Sequence, residues 1–145
     1  MAEDFINSSK AFLGRGWAFP PTFSKGGNTV QMLEAEEDIK NSLEVLLATS
    51  LGERLMVPEY GCNLDRQVFE SLDTTFATYI TEQIRTAITY NEPRVMLDSV
   101  DYSDDALNGR VDITVNFTVV ATNTRYNIVY PFFLEEGTDL PATTV

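Results

Sequence analysis

The clearest pattern in the chain is an alternation. Val111, Ile113, Val115, Phe117 and Val119 are apolar, and Asp112, Thr114, Asn116 and Thr118 between them are polar. A period of two sends alternate side chains to opposite faces, so residues 111–121 predict a strand with one dry and one wet side. Asn108-Gly109 just before it predicts a two-residue hairpin turn back to a strand near Val95–Tyr102. A second turn near Thr122–Thr124 leads to Tyr126, Ile128, Tyr130 and Phe132, which alternate again. About residues 95–133 should therefore form an antiparallel sheet of about three strands.

Upstream the period lengthens to that of a helix. Ala35, Ile39, Leu43, Leu46 and Leu47 mark one buried stripe between about Glu34 and Ser50. Glu34, Glu36, Glu37 and Asp38 crowd its first turns, where the helix dipole favours negative charge, and Gly52 is the expected stop. Asp73 reads as the N-cap of a second helix striped by Phe76, Ile80, Ile84 and Ile88. That helix must end by Asn91, because Pro93 has no amide and biases the residue before it away from helical angles.

Three stretches lack a period. Residues 1–30 mix Phe12, Trp17, Phe19 and Phe23 with Gly14, Gly16, Pro20, Pro21, Gly26 and Gly27, which predicts an extended arm pinned by its aromatics. Residues 52–62 read as a strand or loop crossing the core edge, followed by a short helical turn near Leu64 to Glu70. Residues 134–145, acidic and containing Pro and Thr, read as a loose tail. The expected fold is α+β: an extended N-terminal arm over 1–30, then one domain over 31–133 with two amphipathic helices packed on the C-terminal sheet.

Composition narrows the possible partners. The chain has 145 residues, 43% of them hydrophobic, enough for one compact core. Ten Lys and Arg against 22 Asp and Glu give a formal net charge of -12, which repels a phosphate backbone, so no nucleic acid is expected. Only residues 1–30 are slightly basic by count, so the arm can meet an acidic surface. No run approaches the roughly 18 to 20 apolar residues of a bilayer-spanning helix, and no membrane partner is expected. Met1-Ala2-Glu3-Asp4 lacks the basic start and apolar stretch of a secretory signal, which predicts synthesis and folding in the cytoplasm.

Catalytic chemistry finds little purchase. There is no histidine, hence neither the usual general base of Ser and Cys hydrolases nor the commonest metal ligand. The single Cys62 excludes an internal disulfide and a cysteine-cluster zinc site, and reads as a small buried hydrophobe. Glu53 with Glu59 or Asp65 is the best carboxylate pair for glycoside hydrolysis, but nothing in the sequence marks the apolar pocket that would keep one acid neutral. Asp101-Tyr102-Ser103-Asp104-Asp105 with Asp112 imitates a calcium loop, yet Ala106 stands where the sharp turn wants glycine, which favours a polar hairpin. No catalytic residue, metal or cofactor is expected. Asn91-Glu92-Pro93-Arg94 is different: a proline-fixed helix end presents Glu92 and Arg94 in a defined geometry, and arginine binds carboxylates bidentately. The plainer alternative there is a helix stop with a local ion pair.

Four pieces recur in one order: Gly14-Arg15-Gly16-Trp17-Ala18-Phe19-Pro20-Pro21; the helix end Leu46-Leu47-Ala48-Thr49; Gly52-Glu53-Arg54-Leu55-Met56-Val57-Pro58-Glu59-Tyr60-Gly61-Cys62; and Glu92-Pro93-Arg94. From about Gly14 to Ala121 the chain resembles the gene-product-twenty-five-like baseplate proteins of contractile tails, the wedge and sheath-initiator family of phages, type VI secretion and extracellular injection systems. The resemblance implies a structural subunit, not an enzyme, that ends up in the baseplate of a phage tail or injection particle in about six copies. It implies that Glu92, Pro93 and Arg94 dock on the helical core bundle of the larger wedge subunits. It further implies that the sheet carrying Val111, Ile113, Val115, Phe117, Val119, Tyr126, Ile128 and Tyr130 interlocks with sheath protein by strand exchange, residues 111–121 and 126–132 each offering an edge. Tube or hub proteins are further candidate partners. Members of the family have also carried a lysozyme label, which makes a peptidoglycan-degrading glycosidase the alternative.

Overall fold

The structure is a computed structural model that describes residues 10–64, 73–105, 107 and 109–133. The elements begin with a 3-10 turn at Ala11–Leu13 and four short strands: β1 (Arg15–Trp17), β2 (Phe23–Ser24), β3 (Thr29–Val30) and β4 (Met32–Glu34). Two helices follow, α1 (Ala35–Ala48) and α2 (Thr74–Asn91), and then three long strands, β5 (Val95–Asp105), β6 (Arg110–Val119) and β7 (Thr124–Phe133). The fold is α+β, with both helices on one face of the β5-β6-β7 sheet.

Alternation decides which sheet face is dry. On β6 the side chains of Val111, Ile113, Val115, Phe117 and Val119 are at most 3% exposed, and Ile128 and Phe132 of β7 join them. Ile39, Leu43, Leu46 and Leu47 of α1 and Phe76, Ile80, Ile84 and Ile88 of α2 close this core from above. Each fully buried aliphatic or aromatic side chain contributes roughly 1.5–3 kcal/mol of transfer free energy, so this one layer carries the fold. Polar ties fix the packing: the Tyr102 hydroxyl on β5 donates to the Ala77 carbonyl of α2 at 3.0 Å and lies 2.8 Å from the Thr81 hydroxyl.

Helix ends and turns follow local chemistry, with some departures from expectation. The Asp73 side chain accepts from the Phe76 amide at 2.7 Å, the N-cap its position predicts. α1 stops at Ala48, ahead of Gly52: Thr49 is extended, and the Cys62 amide donates to its carbonyl at 2.8 Å. Gly61 stands so close to that carbonyl that a Cβ could not fit. Gly52, at φ +84, instead closes the following loop by donating to Pro58. Residues 52–62 make that loop and no strand, while Cys62 and Leu64 enter the core. Both hairpins are wider than two residues, since the last β5–β6 pair is Asp105 with Arg110 and the β6–β7 connection runs over residues 120–123. The helical turn expected near Leu64 to Glu70 and the tail over 134–145 lie outside the described residues.

The arm departs most. It is not merely extended: β1 pairs with β4 and β2 with β3, so pairing crosses the break expected at residue 30. Nor do its aromatics pin it. Phe12, Trp17, Phe19 and Phe23 are all at least 62% exposed, whereas among the arm's described residues Leu13 enters the core cluster and Ala18 is buried. The arm is held through its backbone, with the Ala35 amide donating to the Gly14 carbonyl at 3.1 Å, and through the ion pairs Lys10–Glu36 and Arg15–Glu34.

Candidate docking site

The corner after α2 gathers the polar residues that the core leaves over. Glu92 is 4% exposed and Pro93 beside it is exposed. The Arg94 guanidinium forks onto Glu92, with Nε to Oε1 at 2.6 Å and Nη2 to Oε2 at 2.7 Å. Its third nitrogen, Nη1, donates to Asp38 Oδ2 at 2.7 Å and to the Leu13 carbonyl at 2.9 Å. Ser42 completes the set, its hydroxyl donating to Glu92 Oε2 at 2.7 Å. One arginine thus joins the end of α2, the buried face of α1 and the arm.

The electrostatics match the geometry. Burial pushes the Glu92 carboxyl up, but hydrogen bonds from Arg94 and Ser42 and the guanidinium charge outweigh it, so the group titrates below its ordinary range. Arg94 is raised, first by its hydrogen bond to Glu92 and, against burial, by Asp38 as well. The arm's glycines are fitted to this node. A Cβ at Gly14, which sits at φ +102, would come within 3.0 Å of Arg94 Nη1, and one at Gly16 would collide with Asp38. Two of the four sequence pieces, the Gly14-Arg15-Gly16 stretch and Glu92-Pro93-Arg94, therefore meet at one place, on the Asp38 and Ser42 face of α1.

Both readings of the Glu92-Pro93-Arg94 corner have a place in this arrangement. The local ion pair is present, and it locks the backbone so that Pro93 and the 30% of Arg94 left exposed face outward. Glu92 itself faces inward and has no free surface to offer. Asp38 and Ser42 were missed in the sequence, although both fall on the buried stripe of α1 with Ala35, Ile39 and Leu43. A polar residue in phase with an apolar stripe was the available signal.

The sheet supplies a second candidate surface, and here one expectation needs correction. β6 lies between β5 and β7 with a ladder on each side, so residues 111–121 have no free edge. The side chains of Val111, Ile113, Val115, Phe117 and Val119 are spent on the chain's own core. Among the described residues the unpaired margins belong to β5 and β7. They differ sharply. β5 carries Asp98, Asp101, Asp104 and Asp105 and breaks register between Leu97 and Ser99, and such charges and irregularities protect an edge against added strands. β7 runs for ten residues with Arg125 as its only charge. Its Pro131 suits an edge strand.

The other candidates resolve simply. Asp101–Asp105 and Asp112 lie in the paired strands of a hairpin, not in a loop folded round an ion. Glu53 accepts from the Ser50 amide at 2.9 Å and is exposed, as is Glu59, which lines a groove of about 450 Å³ with Val57 and Tyr90. Neither acid sits in the apolar pocket a neutral general acid requires. Asp65 lies outside the described residues. No helix among the described residues is long and apolar enough to cross a membrane.

Comparison with known proteins gives a consistent picture. A family model described as baseplate wedge protein gp25 matches residues 33–124. The baseplate wedge protein gp25 of Enterobacteria phage T4 is 39% identical over 57 residues, which are 39% of this chain and 43% of that protein, so the match spans less than half of the curated relative. Among solved structures, a Geobacter sulfurreducens protein bearing a tail lysozyme label superposes with a TM-score of 0.66 at 42% identity, covering 72% of this chain and 96% of its own. A chain of the six-fold symmetrised baseplate of the anti-feeding prophage gives 0.64 at 28% identity, with 87% and 90% covered. A chain of the postcontracted pyocin R2 baseplate gives 0.56 at 26%, with 68% and 97% covered.

Proposed function

The chain belongs to the baseplate wedge protein gp25 family, a structural part of the baseplate of a phage tail or contractile particle, and from that premise we infer that it joins the wedge to the sheath. The Glu92-Pro93-Arg94 corner docks on the helical core bundle of the larger wedge subunits. Pro93 and the outer part of Arg94 make the contact, while Glu92, Asp38 and Ser42 hold them in place. The margin of β7 accepts an extended segment of sheath protein by strand addition, and about six copies stand in each baseplate. Tube or hub proteins remain further candidate neighbours. The observation that carries the reading is the contrast between the two sheet margins: β5 is guarded by acids and a bulge, and β7 is not.

Two exposed substitutions test the two contacts separately. Pro93→Glu should leave the isolated chain folded and prevent its incorporation into wedges, and a normal yield of complete baseplates would refute the docking role. Val129 on β7 is 56% exposed, so Val129→Lys should change stability by no more than about 0.5 kcal/mol. An inward-facing or edge lysine opposes strand addition, so this variant should give baseplates that carry no sheath under the electron microscope. Sheathed particles would sink the strand-addition half. Truncation from Thr124 is unsuitable because it also takes Ile128 and Phe132 out of the core.

A further inference from the structure

Residues 17–31 form a lobe whose aromatic side chains stand outside the core formed by the described residues. The Ala18 amide donates to the Gln31 carbonyl at 3.0 Å, the Gln31 amide to Thr22 at 2.9 Å, and the β2–β3 hairpin closes the tip. Asn41 of α1 ties down the base: with its amide oriented to satisfy both groups, it meets the Phe19 carbonyl and amide at 3.2 Å each. Trp17, Phe19 and Phe23 are 63%, 62% and 69% exposed, and the Trp17 and Phe23 rings meet edge to face with centroids 6.4 Å apart. Single exposed apolar residues are ordinary, but three aromatics on one short lobe are a patch of the kind that interface centres use. None of the three belongs to the core.

The charge around these rings differs from that of the rest of the molecule. Lys10 to Leu33 contains three basic residues and no acid, in a chain whose formal net charge is -12. Lys10 and Arg15 are paired with Glu36 and Glu34, whereas Lys25, at the tip of the β2–β3 hairpin, has no ion-pair partner among the described residues. A second copy of this chain would bring another strongly negative body against the first, which like-charge repulsion opposes. We propose that the lobe is a docking surface, separate from the Pro93 corner and from β7, for a different, acidic protein that lays apolar side chains across Trp17, Phe19 and Phe23 and sets carboxylates beside Lys25.

Assembled particles carrying the full chain provide the test. A photo-reactive benzoylphenylalanine at position 19 should crosslink to a segment of another protein that holds more Asp and Glu than Lys and Arg. A chain with both Trp17→Ala and Phe23→Ala should melt like the wild type when isolated, because both side chains are exposed, yet its occupancy in purified particles should fall at least about tenfold by quantitative mass spectrometry. Lys25→Glu should lower occupancy more when particles assemble at low salt than at high salt, as an exposed charge contact requires. A crosslink to a copy of this chain, to lipid or to nothing overturns the proposal, and so does full occupancy of the double variant. Full occupancy there together with loss in Pro93→Glu would remove the lobe and leave the wedge reading standing.

Discussion

Arg94 is the residue on which the most contacts depend, and its removal has a pH signature. Wild-type Glu92 has a folded pKa below its ordinary value of 4.5, so its share of stability is present above that value and is lost as pH falls through the lower, folded one. Without the guanidinium, burial, the largest influence on the group, is opposed only by the Ser42 hydroxyl and the backbone amide at position 94, and the carboxyl should rise above its ordinary value. The contribution is then retained below the ordinary value and lost as pH rises through the folded one. Arg94→Ala should therefore be destabilised by about 2–3 kcal/mol near pH 7, at or just below the low end of the roughly 3–5 kcal/mol for breaking a fully buried pair, because Arg94 is partly exposed. The deficit should shrink at pH 4. Urea titrations at the two pH values check it, and an equal gap at both would show that Glu92 is not the group left unpaired. The sequence exposed half of this node: the proline after α2 marked the corner, and Glu92 with Arg94 suggested the ion pair. It did not show that the pair faces inward, because inward or outward is decided by Asp38, Ser42 and the Leu13 carbonyl, which lie 50 to 81 residues away along the chain.

At the level of elements, legibility followed periodicity. β6, the stripe of α1 and the start of α2 were all readable because burial on one face imposes a period that the chain cannot avoid. The N-cap is a local matter and was readable too. Asp73→Ala should cost about 1 kcal/mol, visible as a lower urea midpoint with an unchanged slope. What holds the N-terminal arm was misread for an equally physical reason. Its strands are two or three residues long, too short to show alternation, and its aromatics suggested burial where the backbone and Leu13 do the holding. Strand order was implied by the two expected turns, and the error lay in giving residues 111–121 an edge. Alternation tells which residues of β6 face the core, and the pairing shows that β6 is central and that the free margins lie on its neighbours.

At the scale of the whole molecule, the described residues build one packed body. Among the described residues one core joins two helices to one sheet face, and polar residues such as Arg94 and Tyr102 brace it. The lysozyme label borne by one structural neighbour calls for a carboxyl kept neutral in an apolar pocket, and Glu53 and Glu59 are exposed. Purified protein incubated with cell-wall sacculi should release no muropeptides above a buffer control, and Glu53→Gln and Glu59→Gln should be indistinguishable from the wild type. Sustained release that either substitution abolished would contradict the structural role.

The unequal margins of the sheet also set a limit on growth. If β7 accepts a strand as proposed, a layer open along one flank and guarded along the other takes one newcomer and cannot extend itself into a fibre. On that reading, excess copies of the subunit would not polymerise through a chain of added strands.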